Sequence, residues 1–292
     1  MNTICFGEIL WDVLPHEKVP GGAPMNVCYH LNRLGQKASI ISKIGNDDNG
    51  LQLLQFLKGK NIDTSLIQTD KEHQTGIVIA TQKGNEMEYE IAQPVAWDFI
   101  DSSKTLLEQV AAADYFVCGS LAARTAHSRK SLYAMLEAAT TKVVDINLRP
   151  PHYERPTLEH LMKQADLLKL NNHELAMITD WYGDETIFEK QVLLLSTAFS
   201  IPTIIITKGA DGASLLYNDN FYHHPGYKVE VADTIGSGDS FLAGFLSKHM
   251  ENQSPENALA FACKIGAFVA SQKGACPDYE IDAIEKLDLN HE

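Results

Sequence analysis

Short apolar runs alternate along this chain with longer stretches in which apolar residues recur every third or fourth position. The runs at residues 4–6, 38–44, 115–118, 142–146, 167–170 and 203–207 are compact and rich in branched side chains. They predict strands covered on both faces. Helical spacing fills the intervals, predicting helices over 25–34, 50–57, 128–139, 158–164, 174–179, 187–199, 239–249 and 255–272. Gly35 closes the first of these helices, and Asp47-Asp48 opens the second. Strand–helix alternation of this kind predicts an α/β fold: a mainly parallel sheet flanked by helices, with ligands at the carboxyl ends of its strands.

Two segments break the rhythm. Residues 75–82 and 86–92 read as strands joined by a turn at Lys83-Gly84-Asn85, and residues 213–224 read as a second hairpin. There is no internal repeat, low-complexity tract or Pro/Gly/Ser linker, so residues 1–292 are expected to form one domain with a small β appendage.

Composition narrows the partners. The 292 residues carry a net charge of −14 with no basic stripe, which disfavours nucleic acid and anionic membranes. Five scattered cysteines form no C-x-x-C pair, so reduced thiols in a cytoplasmic protein are expected, without zinc or disulfides. The start, MNTICFGEILWD, lacks a basic region and reads as no secretory leader. No apolar run approaches the ~20 residues of a membrane span.

The chain has neither G-x-x-x-x-G-K-[ST] nor G-x-G-x-x-G, since Phe241 stands where the third glycine belongs. An NAD-dependent oxidoreductase is therefore disfavoured. What it has is DTIGSGDSFLAGFL, residues 233–246, in which Gly236, Ser237 and Gly238 run into Asp239 at the start of a helix. Small residues let successive N–H groups turn inward around an anion, and the helix dipole adds favourable potential. Asp239 would then stand where a hydroxyl must lose its proton before attacking a phosphoryl group. A plain turn with Asp239 as an N-terminal helix charge accounts for the stretch as well.

A second glycine pair leads into a helix in GGAPMNVCYHLNRLG, residues 21–35. Together, Gly21-Gly22-Ala23-Pro24 with Asn26 and Arg33-Leu34-Gly35, and the run from Asp233 to Asp239, resemble the two signatures of the ribokinase-like, or PfkB-type, carbohydrate kinases. Their order and separation match, and the resemblance spans essentially the whole chain. Ser237 replaces the alanine usual in that family and is small enough to leave the nest open. The GEILWD start is most similar to the bacterial fructokinases.

The resemblance implies the rest of a site. Asp239 matches the catalytic base, and the backbone of Gly236, Ser237, Gly238 and Asp239 the anion hole. Asp12, placed after the first strand, matches the acid that binds sugar hydroxyls, with Gly22 and Asn26 as further sugar contacts. Glu90 and Gln93 are candidate sugar contacts on the lid. Asp145, Asn147 and Arg149 form a D-x-N-x-R run, predicted to alternate onto one side of a strand end; Asn147 would face the sugar and Arg149 the transferred phosphoryl group. A salt-bridged strand end is the alternative. Asn171 and Glu174 match the pair that organises Mg2+ through its waters around ATP, although the same spacing makes a capping box. Thr207, Lys208, Gly209 and Gly212 match the nucleotide-binding turn. K+ is expected beside the anion hole, held by Asp233 and the carbonyls of Ile235, Val269, Gln272 and Gly274. The β appendage, about residues 12–22 and 75–98, would be a lid over the sugar. Its outer face, with Ile77, Ile79, Tyr89 and Ile91, would pair two subunits into a homodimer. The expected partners are thus ATP and a small sugar, fructose first; ribose, a keto-deoxy sugar acid or a nucleoside are alternatives. A non-catalytic sugar sensor on the same fold is the reading of a different class.

Overall fold

The computed structural model describes residues 1–83 and 86–285; the predicted turn at Gly84-Asn85 and the side chain of Tyr89 lie outside the described residues. The strands are β1 (Asn2–Phe6), β2 (Leu10–Val13), β3 (Lys18–Gly21), β4 (Lys37–Gly45), β5 (Ile67–Asp70), β6 (Gly76–Lys83), β7 (Glu86–Ile91), β8 (Tyr115–Gly119), β9 (Lys142–Asp145), β10 (Leu167–Asn171), β11 (Thr203–Thr207), β12 (Ala213–Tyr217) and β13 (Asn220–His224). The helices are α1 (Ala23–Arg33), α2 (Asp48–Gly59), α3 (Lys104–Ala111), α4 (Ala126–Ala138), α5 (Arg155–Gln164), α6 (Asn172–Thr179), α7 (Phe188–Phe199), α8 (Ser237–Met250), α9 (Pro255–Ala270) and α10 (Ile281–Glu285).

Among the described residues, one sheet has the order β13-β12-β11-β10-β9-β8-β1-β4-β5 and a separate sheet the order β3-β2-β6-β7. The large sheet is parallel from β11 to β5, and the hairpin β12–β13 extends it antiparallel. Period-2 alternation divides each central strand between two cores. Cys5 and Val117 face the layer of α1, α2, α8 and α9, whereas Ile4, Phe6, Phe116 and Cys118 face that of α3 to α7. All five cysteines are free thiols.

Two expectations are corrected here. The predicted run at 142–146 stops at Asp145, because Asn147 has φ 39°, outside strand geometry; Asp145, Asn147 and Arg149 therefore do not alternate along one strand. Asp12 does not follow directly on β1. It lies within β2, a strand of the small sheet, paired with Val78 of β6 in parallel register. The small sheet is anchored on α2: Trp11 Nε1 donates to the Asn49 carbonyl at 3.0 Å, and Asp47, the α2 N-cap, accepts from Thr75 N at 2.7 Å. Helix α3 and strand β5 were not predicted. Their sequences, KTLLEQVA and IQTD, are short and at least half polar, and tertiary packing decides them.

Candidate active site

The strand ends line up along one edge of the large sheet, with Asn171 beside Thr207, Asp145 beside Gly119, and Phe6 beside Cys118. A cavity of about 470 Å³ lies at this edge, between the small sheet and the start of α8. Asp12, Gly22 and Asn26 reach it from one side, Asn147 and Arg149 from the loop after β9, and Gly236, Gly238 and Asp239 from the start of α8.

Helix α8 begins with Gly236 as N-cap at φ 75°, a left-handed conformation that a Cβ would obstruct by meeting Ala275. No side chain caps it. The first i→i−4 bond is Ser240 N to Gly236 O at 2.8 Å, so the N–H groups of Gly236 to Asp239 have no partner within the helix; Ser237 N makes only a long donation to the Thr234 carbonyl at 3.3 Å. The Ser237 hydroxyl turns away and donates to the Gly266 carbonyl at 3.1 Å. Its replacement of alanine thus leaves the nest open.

Asp239 is buried and accepts from Asn26 Nδ2 at 2.8 Å. Burial, and then the neighbouring Asp145 carboxylate, push its pKa up to about 6 against the pull of Asn26, Lys169 and Arg149. Asp12 is likewise raised by burial to about 6, with Arg149 acting against the shift. Gly22 holds φ 117° where a Cβ would strike the Glu8 carbonyl, and it sets the entry of α1, which carries Asn26.

Sequence reasoning missed two residues. Lys169, on β10, lines the cavity while making a buried ion pair with Asp145 at 2.8 Å. Burial lowers its pKa, but Asp145 more than offsets this and the net shift is upward, so it carries charge beside Asp239. The signal was a lone lysine in the apolar strand LLKLN. Glu8 is 4% exposed; its Oε1 accepts from Ala23 N at 3.2 Å, and its Oε2 has no partner. Burial raises it to about 7.

Other expected residues lie elsewhere. Val78 pairs with Ile91, and both face the cavity; Glu90 pairs with Ile79 and so points to the opposite face of the sheet. Glu90 is exposed there, and Gln93 borders a different cavity. The expectation that both contact the sugar is corrected on this geometry, as is the placing of Ile91 on the outer face.

Asn171 and Glu174 form a capping box: Asn171 Oδ1 accepts from Glu174 N at 2.9 Å, and Glu174 Oε2 accepts from Asn171 N at 2.8 Å. Glu174 Oε1 also accepts from Leu148 N at 2.7 Å, tying α6 to the loop that carries Arg149. Thr207 ends β11, and Lys208, Gly209 and Gly212 flank the short turn Gly209–Asp211, outside the cavity but on the same edge. The Lys208 ammonium lies 4.0 Å from the Phe188 ring. Asp233 joins two loops, accepting from Ile235 N at 3.0 Å and Gly274 N at 3.2 Å. The Val269 carbonyl accepts from Gln272 N at 2.9 Å.

A carboxylate fixed in the first turn of a helix, with N–H groups around it that have no helical partner and the half-buried Asp12 lining the same cavity, suits phosphoryl transfer to a hydroxyl. Residues 6–282 match the pfkB family of carbohydrate kinases. The chain belongs to that family. Among its PfkB relatives, Fructokinase-2 of Solanum lycopersicum is 29% identical over 308 residues, covering 94% of this chain and 92% of the relative. Fructokinase from Vibrio cholerae O395, solved with fructose, ADP and calcium, is 25% identical with a TM-score of 0.83 and 97% of each chain covered. An uncharacterized sugar kinase, PH1459 from Pyrococcus horikoshii, is 26% identical with a TM-score of 0.82, covering 98% of this chain and 97% of the other. The large parallel sheet with a small separate sheet is thus the ribokinase-like fold expected from the sequence.

Proposed function

We propose that the protein is an ATP-dependent fructokinase in which Asp239 is the general base. The observation that carries this reading is the buried Asp239 carboxylate, fixed by Asn26 within the first turn of α8 and facing Asp12 across one cavity. The named fructokinase relatives supply the sugar.

The sugar lies between the small sheet and α1, with Asp12 and Asn26 bonding its hydroxyls and Val78 and Ile91 covering it. Asp239 takes the proton of the attacking hydroxyl. The new O–P bond forms as the bond from the γ-phosphorus to the bridging oxygen of ADP breaks. The N–H groups of Gly236 to Asp239 hold the growing negative charge, and Lys169 and Arg149 add fixed positive charge beside it. The proton on Asp239 then passes to solvent with product release.

ATP would reach along the sheet edge from the nest toward Thr207 and Lys208. The residues present fit Mg2+ held mainly by phosphates and water, since both Glu174 oxygens already accept backbone N–H groups and keep lone pairs only for waters. When bound, the ion supplies neutralisation of phosphate charge, with Asn171 and Glu174 holding its waters. Asp233, by joining the Ile235 and Gly274 loops, brings together the carbonyls expected to hold K+. The small sheet is a closing lid, and its outer face pairs two subunits. Free thiols suit a cytoplasmic enzyme.

A coupled ADP-release assay tests the reading. Fructose is expected to give the highest kcat/KM in a panel that includes ribose, a keto-deoxy sugar acid and a nucleoside. A higher value for another member of the panel reassigns the sugar, and ADP release with none removes the enzyme.

A further inference from the structure

A second cavity, of about 230 Å³, is lined by residues that neighbour the main cavity's lining along the chain. Gln93, Ser120, Arg124, Arg129 and His152 contribute to its walls. Three wall segments continue directly into the main cavity: Gln93 follows Ile91, Ser120 precedes Leu121, and His152 follows Arg149. The two linings are therefore linked through short stretches of chain.

The chemistry of this second space is donor-rich. The Arg124 side chain is 2% exposed. Its Nε and Nη2 donate to the two oxygens of Asp98, each at 2.7 Å, and Nη2 also donates to the Ala92 carbonyl at 2.8 Å. The guanidinium carbon lies 3.8 Å from the centre of the Trp97 ring. These contacts occupy one edge and one face of the guanidinium. Nη1, on the other edge, is buried and has no partner among the described residues; nor has the buried Ser120 hydroxyl. Arg129 Nη1 adds weak donations to the Ala123 carbonyl and Thr157 Oγ1, both at 3.3 Å. Buried donors are ordinarily paired, and two unpaired donors on the walls of one cavity call for an acceptor.

The facing acids do not supply it. Asp98 is consumed by Arg124, and Glu154 is an exposed rim residue, 3.8 Å from Arg129. Two guanidinium groups and a hydroxyl, carried on the continuous stretch from Ser120 through the start of α4, suit a tetrahedral oxyanion, whose oxygens diverge, better than a planar carboxylate. We propose that this cavity binds a phosphoryl oxyanion, inorganic phosphate or a phosphomonoester, through Arg124 Nη1, the Ser120 hydroxyl and Arg129. Its occupant regulates the neighbouring site. Gln93 follows lid strand β7, and His152 N donates to the Arg149 carbonyl at 2.7 Å, so an anion held here biases both the lid and Arg149. The inference does not depend on which sugar is phosphorylated.

The test is calorimetric titration of inorganic phosphate into protein saturated with a non-hydrolysable ATP analogue, which keeps phosphate out of the α8 nest. One saturable site is expected. Ser120→Ala and Arg129→Gln should each weaken it at least tenfold, with turnover in phosphate-free buffer near wild type. Arg124 is left intact, because removing it would strand the buried Asp98 charge. Glycerol phosphate, titrated the same way, separates the sources: tighter binding than phosphate supports an ester as occupant, and weaker binding supports the free ion. No saturable phosphate binding, or equal binding in wild type and both variants, overturns the proposal.

Discussion

Asp239 shows how much one residue owes to its neighbours. In isolation it is a helix N-terminal acid; in the fold, burial and Asp145 raise it to about 6 while Asn26 fixes one oxygen. Asp239→Asn keeps the shape and removes the basicity, so kcat should fall by roughly 10²–10⁴-fold with ATP binding little changed. Near-normal turnover in a folded variant ends the assignment. Only the ionised form accepts a proton, so wild-type kcat should rise with pH through about 6 and be lost below it, which a pH–rate profile reads directly. Asp12 lines the cavity from the small sheet; on the proposed reading it binds the sugar, and Asp12→Ala should raise the sugar KM sharply with the ATP KM near wild type. The opposite pattern would put it on the wrong ligand. Glu8 carries a cost. Its folded pKa is raised, so the buried carboxylate destabilises the fold above that pKa, and the penalty vanishes as pH falls below the unfolded value. Glu8→Gln should therefore raise Tm at pH 8, by about 1–3 kcal/mol of stability, with the gain disappearing near pH 4; thermal melts at both pH values decide it. Sequence motifs pointed to Asp239, Asn26 and Asp12. They did not point to Glu8 or Lys169, because a buried charge becomes informative only once its partner, or the lack of one, is known.

At the scale of elements, the apolar runs and helical spacings found the strands and helices that build both cores, since burial on both faces imposes the pattern. Strands β2 and β3 escaped it. Each has four residues, β3 contains Pro20, and β2 joins β6, which is distant in sequence. That is why Asp12 was placed after β1 and Glu90 on the wrong face: register, which sets the face, is invisible until the pairing is known. The loops around Asp233 carry a further prediction. Both Asp233 oxygens bind N–H groups, of Ile235 and Gly274, which holds those loops together next to the nest. A monovalent cation among the nearby carbonyls would steady the N–H groups of Gly236 to Asp239 without touching phosphate. Turnover should rise severalfold when K+ replaces a bulky organic cation at constant ionic strength, and equal rates would refute the site.

For the whole molecule, the question is what covers the outer face of the small sheet, the proposed lid. Ile77 and Ile79 point there, opposite Val78 and Ile91, and Ile79 is 39% exposed. The face is not bare along its length. Trp11, paired with Ile77, is only 7% exposed because it packs toward α2 and bonds the Asn49 carbonyl. The chain therefore covers the base of this face itself, and what would remain for a partner is the part beyond Ile77. A four-stranded sheet with free edges at β3 and β7 is a poor thing to leave in water. A two-fold pairing would bury Ile79 against its symmetry mate's lid and leave the inner faces over the two cavities. Light scattering should give twice the chain mass for the wild type. Ile79→Glu, which places a charge in the pairing surface and touches neither cavity, should give the mass of one chain with its fold intact. Hydrogen exchange in β6 should slow when sugar is added, as the inner face closes on it. A wild-type mass of one chain removes the dimer, and exchange indifferent to sugar removes the lid. The two outcomes are independent, because pairing uses the face that carries Ile79 and closure uses the face that carries Val78.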